Sequence, residues 1–271
     1  NESTLNNVTK LYFGKNVSGI LPSTCRSMKK LRNVFFHPET KCDIIDDFAF
    51  EKCSSLKEII IPNKVNSIGY GCFAICRALS RVIIGKKVEK IWHAAFIDCD
   101  KLNYIDIPDS VKFIGDEVFK ITNDYSSNGL VEITGMKNVE ELGHSVFMGT
   151  AITEVRLGPK LKKIGHTCFM NIPLKTLTLE YNKDLEIEFD AFNNLDDLTI
   201  INLLGGNPKK WVEKLKRQFM DCWKIHMLSE RYQEQIEKIR IRNDFKWDVS
   251  DEVIYIAYAR ILEQEAMQLM T

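Results

Sequence analysis

Histidine and cysteine are the residue types in this chain whose chemistry depends most on spacing. His93, His144 and His166 each stand two residues after an aliphatic residue (Ile91, Leu142, Ile164), and Asp116 holds the same place after Ile114. If the segments that carry them stack as adjacent strands do, about 4.8 Å apart, the four side chains form one surface column. Imidazole nitrogen beside carboxylate oxygen could take a divalent transition metal. The competing reading is a solvated turn position, because Asp47 and Tyr70 fill the same place elsewhere and no partner pattern orients the imidazoles. We therefore expect no metal and no cofactor.

The cysteines read as structure rather than chemistry. Cys53, Cys76 and Cys99 recur at one position that Met28, Thr150, Ile172 and Leu195 fill elsewhere. Exchange with apolar residues describes a small buried hydrophobe, a role free Cys fills. Cys72 and Cys168 stand where other segments carry Ala49, Ala95 and Ala191. No C-x-x-C or Cys/His zinc spacing occurs, so a column of core thiols is expected. There is also no G-x-S-x-G, no phosphate-cradling glycine loop and no H-E-x-x-H. The expectation is that no residue is catalytic and that the chain is not an enzyme.

The elements that position these residues repeat. LKEIIIPNKVNSIGYGCFAIC, from Leu56 to Cys76, is followed by LSRVIIGKKVEKIWHAAFIDC, from Leu79 to Cys99, the same template in different residues. A leading apolar residue falls at Val8, Leu31, Leu56, Leu79, Leu102, Leu130, Ile152, Leu174 and Leu195. Each unit reads L-x-x-I-x-I, a turn with Pro or Gly, V-x-x-I-G, then a small residue and Phe (Phe50, Phe73, Phe96, Phe119, Phe147, Phe169, Phe192). The period, about 23 residues, belongs to solenoids. Fixed apolar offsets predict a short strand, a turn, a second extended segment and a compact helical turn, stacked coil on coil.

At these residues the chain resembles the BspA-like, or bacterial surface-antigen, class of leucine-rich repeat over about residues 5–204. That resemblance implies a solenoid of protein-recognition units, in a family associated with adhesion to host or neighbouring-cell proteins, with no enzymatic activity. Trp92 and Asp46 depart from it, standing where the repeat carries Gly.

Composition narrows the partner. Lys plus Arg equals Asp plus Glu, 37 each, so no global field favours nucleic acid or an anionic membrane. No apolar run approaches the roughly 20 residues that span a bilayer, so membrane insertion is not expected. The opening NESTLNNVTK has no signal-peptide pattern, and a first residue of Asn1 rather than Met fits a processed or trimmed form.

In L-x-x-I-x-I the first, fourth and sixth positions enter the core, so the third and fifth project from the sheet. Fifth positions run Tyr12, Phe35, Ile60, Ile83, Asp106, Thr134, Arg156, Thr178 and Thr199. Third positions run Lys10, Asn33, Glu58, Arg81, Tyr104, Glu132, Glu154, Thr176 and Asp197. The first half thus carries an apolar stripe and the second half is polar. Such a stripe marks either a contact surface or strand-favouring residues that another segment covers. The expected partner-binding set is Tyr12, Phe35, Ile60, Ile83 and Tyr104, with Arg81 and Asp106 in the surround. The insertion Lys120–Gly129 adds Tyr125 as a further candidate contact.

Beyond Leu204 the period becomes helical. Asn207 and Pro208 suit a helix start, a second helix is expected after Ser229, and a third after Ser250 through Ala257 and Ile261. The chain therefore divides into a solenoid, 1–204, and a helical cap or small helical module, 205–271. Two functional readings remain. One is a recognition module of a secreted or surface bacterial protein that binds a protein ligand. The other is a cytoplasmic scaffold or effector whose repeats select a target and whose C-terminal helices carry an activity.

Overall fold

A computed structural model describes residues 7–122, 129–195, 197–198, 200–204 and 254–257. The chain winds as a parallel β-solenoid. One column of strands runs from Lys10–Phe13 through Asn33–Phe36, Glu58–Ile60, Arg81–Ile83, Tyr104–Asp106, Glu132–Thr134, Glu154–Leu157 and Thr176–Glu180 to Ile200–Leu204. The second column is one continuous sheet of eight two-residue strands, Gly19–Ile20 to Glu186–Ile187, that the V-x-x-I-G segments form. Its register matches the repeat, with Ile45 beside Ile68, Ile68 beside Ile91 and Ile91 beside Ile114.

The apolar template explains the core. Leu56, Ile59, Ile61, Val65 and Ile68 of one coil are all buried, as are Leu79, Val82, Ile84, Val88 and Ile91 of the next. No single coil encloses these side chains, so each is buried only by its neighbours above and below. Glycine in the I-G slot answers to this stacking: a Cβ on Gly69 would lie 2.5 Å from the backbone of Asp46 in the preceding coil. Trp92 fills that slot yet still donates its N–H to the Ile68 carbonyl at 2.9 Å, the bond Gly69 makes to Ile45.

The third side corrects the expected helical turn. Phe48, Ala94, Glu117, Ser145, Thr167 and Asp190 all have φ between 53° and 58°, a left-handed backbone that an α-helix cannot contain. Four of them, Phe48, Ala94, Glu117 and Ser145, turn the N–H out of their own coil. Phe48 thereby donates to the carbonyl of Tyr70, Ala94 to Asp116, Glu117 to His144 and Ser145 to His166. The hydrogen bonds run between coils rather than along a helix axis, which offsets a left-handed cost of about 1 to 2 kcal/mol per residue.

Behind these turns seven phenylalanines form an unbroken ladder. Phe50, Phe73, Phe96, Phe119, Phe147, Phe169 and Phe192 stack at centroid distances of 5.2 to 5.8 Å. The thiols serve the same side. Cys53, Cys76 and Cys99 donate Sγ–H to the carbonyls of Cys25, Phe50 and Phe73 at 3.1, 3.2 and 3.3 Å. The described cysteines, Cys25, Cys42, Cys53, Cys72, Cys76, Cys99 and Cys168, are buried and free.

Two expectations change at the end of the solenoid. The last coil begins at Leu198, not Leu195. Leu198 donates its N–H to Leu195 as Leu56, Leu79 and Leu102 donate to Cys53, Cys76 and Cys99, so Leu195 is in the cysteine slot. Thr176 and Thr178 accordingly pair with Ile200 and Asn202, not Asp197 and Thr199. The expected third helix is also corrected where it can be compared. Ile254–Ala257 is a strand, antiparallel to Ile200–Leu204. Its β-branched and aromatic residues suit a pleated surface, and the free edge of the last coil supplies partners for its backbone. The helices expected over 207–253, and the rest of the third, lie outside the described residues.

Candidate functional site

The strand column displays the residues of the expected contact surface. Tyr12, Phe35, Ile60, Ile83 and Tyr104 are 72, 40, 56, 40 and 49 % exposed. Alternation along each strand accounts for this, since Leu11, Val34, Ile59, Val82 and Ile105 turn inward beside them. The Tyr12 and Phe35 rings stack at 4.8 Å with an interplanar angle of 18°, and Ile60 lies in register with Ile83. Tyr104 continues the patch one coil on, its hydroxyl 3.1 Å from that of Thr134.

The charged members are tied within the face. Arg81 Nη1 is 3.5 Å from Glu58 Oε2, with both side chains exposed. Asp106 accepts from the Thr134 hydroxyl at 2.7 Å. Tyr125 lies outside the described residues. The ends of its loop are anchored: Asp98 accepts from the N–H and hydroxyl of Thr122, and Gly129 donates to the Asp100 carbonyl at 3.1 Å. Thr178, on the polar half, differs from expectation in being buried.

A groove of about 550 Å³ runs beside the apolar column, lined by Phe35, Ile60 and Ile83 and by the turns that follow their strands. A second, of about 870 Å³, opens between the Glu132–Thr134 and Glu154–Leu157 strands, where the ladder is interrupted, as it also is between Arg81–Ile83 and Tyr104–Asp106. Its surround is charged, with Arg156 bound to Glu180 through Nε and Nη2 at 3.1 and 2.8 Å.

The Asp/His column acts on the backbone. Asp47 accepts the N–H of Tyr70 at 2.7 Å, His93 Nδ1 that of Asp116 at 2.8 Å, and Asp116 that of His144 at 2.8 Å. Each side chain thus satisfies a donor of the next coil. Glu188 closes the row, receiving the N–H of His166 at 3.0 Å and Lys163 Nζ at 2.8 Å. The lysine, followed by the His166 N–H, holds its carboxyl below the usual range. Among the described residues no three His, Cys, Asp or Glu side chains converge to hold a metal.

The repeat matches one family model, the BspA-type leucine-rich repeat region, in six copies over residues 3–126 and 121–240. The chain belongs to the BspA-type leucine-rich repeat family. Two solved structures share the fold. The pneumococcal vaccine antigen PcpA is 22 % identical with a TM-score of 0.52, over 71 % of this chain and 50 % of that one. A leucine-rich repeat protein from Bacteroides ovatus is 21 % identical with a TM-score of 0.55, over 72 % of this chain and 55 % of that one. The BspA-type chain thus spans about half the length of the structures it matches. No curated protein matches it.

Sequence reading missed an aromatic ridge at the corner between the short strands and the turns. Trp92 packs on Phe113 at 5.4 Å, Phe48 meets Tyr70 edge-on at 5.1 Å, and Lys90 Nζ lies 5.4 Å over the Trp92 ring. Trp92 in a glycine slot was the available signal.

Proposed function

We propose that this BspA-type solenoid is a non-enzymatic recognition module of a secreted or surface bacterial protein. Its partner, a host or neighbouring-cell protein, docks on the column from Tyr12 to Tyr104. The observation that carries this reading is five large apolar side chains standing exposed on one column of strands. Side chains fixed on a sheet lose little freedom on binding, and burying one aliphatic or aromatic side chain contributes about 1.5 to 3 kcal/mol. Aromatic anchors within a charged surround are also the composition of interface hot spots. The family, whose members are typically surface or secreted, supports the location, as does the likeness to a pneumococcal antigen.

The test is saturation binding of the fluorescently labelled chain to intact epithelial and bacterial cells, with and without prior protease treatment of those cells. The reading expects saturable binding that protease abolishes. Binding that survives protease, or that never saturates, contradicts a protein partner.

A further inference from the structure

The groove beside the apolar column has a chemistry the docking reading leaves unused. Besides Phe35, Ile60 and Ile83, it is lined by Lys64 and Lys86, both exposed, and by no carboxylate. The two lysines sit on touching turns of successive coils, where the Lys86 N–H donates to Asn63 Oδ1 at 3.0 Å. Nearby, Arg81 pairs with Glu58 and Lys15 with Glu39. Lys64 and Lys86 have no ion-pair partner among the described residues.

Two unmatched ammonium groups along an apolar wall set a complementary pattern for a ligand. We infer that the groove takes an extended acidic polypeptide segment in which apolar side chains alternate with Asp or Glu. The inference rests on the docking reading above and deepens it. The apolar side chains cover Phe35, Ile60 and Ile83, and the carboxylates meet Lys64 and Lys86. The groove crosses three coils, about 10 Å between outer strands, and an extended five-residue segment, three apolar and two acidic, spans about 13 Å at about 3.3 Å per residue, enough to run its length. Alternation sends successive side chains to opposite sides, apolar to the column and acidic to the lysines. A sulfated polysaccharide would match the lysines but leave the apolar wall in water.

The experiment is fluorescence anisotropy of the full chain with three labelled short peptides: alternating Leu and Asp, alternating Leu and Lys, and Asp alone. A labelled heparin oligosaccharide is the fourth probe. The Leu/Asp peptide is expected to bind, and Lys64→Glu with Lys86→Glu to weaken it about tenfold or more while admitting the Leu/Lys peptide. The inference is overturned if no peptide binds, if Leu/Lys binds the unaltered chain equally well, or if heparin or Asp alone binds in preference. Loss of Leu/Asp binding in Phe35→Ser/Ile83→Ser but not in the lysine variant removes the acidic pattern alone. Binding that is insensitive to Phe35→Ser/Ile83→Ser removes the docking reading as well.

Discussion

The Asp116 carboxylate accepts the backbone N–H of His144, one coil further on, at 2.8 Å. In the column that spacing alone makes a metal candidate, His93, Asp116 and His144 are thus acceptors for a backbone N–H of the next coil, while His166 Nδ1 meets the Phe189 carbonyl and donates to it. Replacing Asp116 by Ala should cost about 1 kcal/mol, as loss of a helix cap does, while Asn, which keeps an acceptor, should cost much less. Urea unfolding at neutral pH measures both. Equal losses for Ala and Asn would show that the bond contributes nothing.

Burial is the chief protection of the thiols. It pushes Cys53 up to about 12 and Cys25 up to about 11, and raises Cys72 and Cys76 well above the ordinary thiol range. The thiolate is the nucleophile, so iodoacetamide at mildly alkaline pH should leave all four unmodified in the native chain and label them in denaturant. Mass spectrometry reads the sites. Native labelling of Cys76 would contradict a closed core.

Phe96 stands mid-ladder, with ring centroids 5.3 and 5.8 Å away on either side. Phe96→Ala removes both stacking partners and opens a cavity, a loss of about 3 to 5 kcal/mol. Because coils support only their neighbours, the variant is also expected to melt in a broader transition. Circular dichroism against temperature would show it, and an unchanged sharp melt would count against ladder-based cooperativity.

Glu188 links stability to pH. Its folded-state value is lowered, first by the hydrogen bond from Lys163, so its contribution is present above the unfolded value of about 4.3. That contribution is lost as pH falls through the lower, folded value. With the pair about one-third exposed, the effect should stay below about 1 kcal/mol. Glu188→Gln should therefore melt slightly lower at pH 7, by a margin that shrinks as pH falls below about 4. A margin that does not shrink on acidification would locate the effect outside ionisation.

Most of the solenoid was readable because its rule is local: apolar side chains at fixed offsets have one way to be buried together. Where the rule was ambiguous, hydrogen bonding decided. Leu195 and Leu198 are both apolar and both buried, and the turn bond between them, with the pairing of Thr176 to Ile200, sets the register of the last coil. The left-handed residues were hidden because most of them, Phe48, Ala94, Glu117, Ser145 and Thr167, are types that rarely adopt positive φ. Ile254–Ala257 was misread because a short apolar run fits strand and helix alike, and its pairing edge is distant in sequence. Exposure of the apolar stripe did follow from alternation, whereas its neighbour groove depends on how the turns stack.

The most direct test of the central claim combines Phe35→Ser and Ile83→Ser in one chain and measures its thermal melt beside its cell-binding isotherm. Arg156→Ala with Glu154→Ala, both exposed on the polar half, is the control. If the column is an exposed docking surface, the melt stays within the roughly 0.5 kcal/mol of an ordinary surface change. Binding should weaken by about 2 kcal/mol or more, the hot-spot threshold, and the control should bind normally. A double variant that unfolds, or one that folds and binds as the unaltered chain does, contradicts the account.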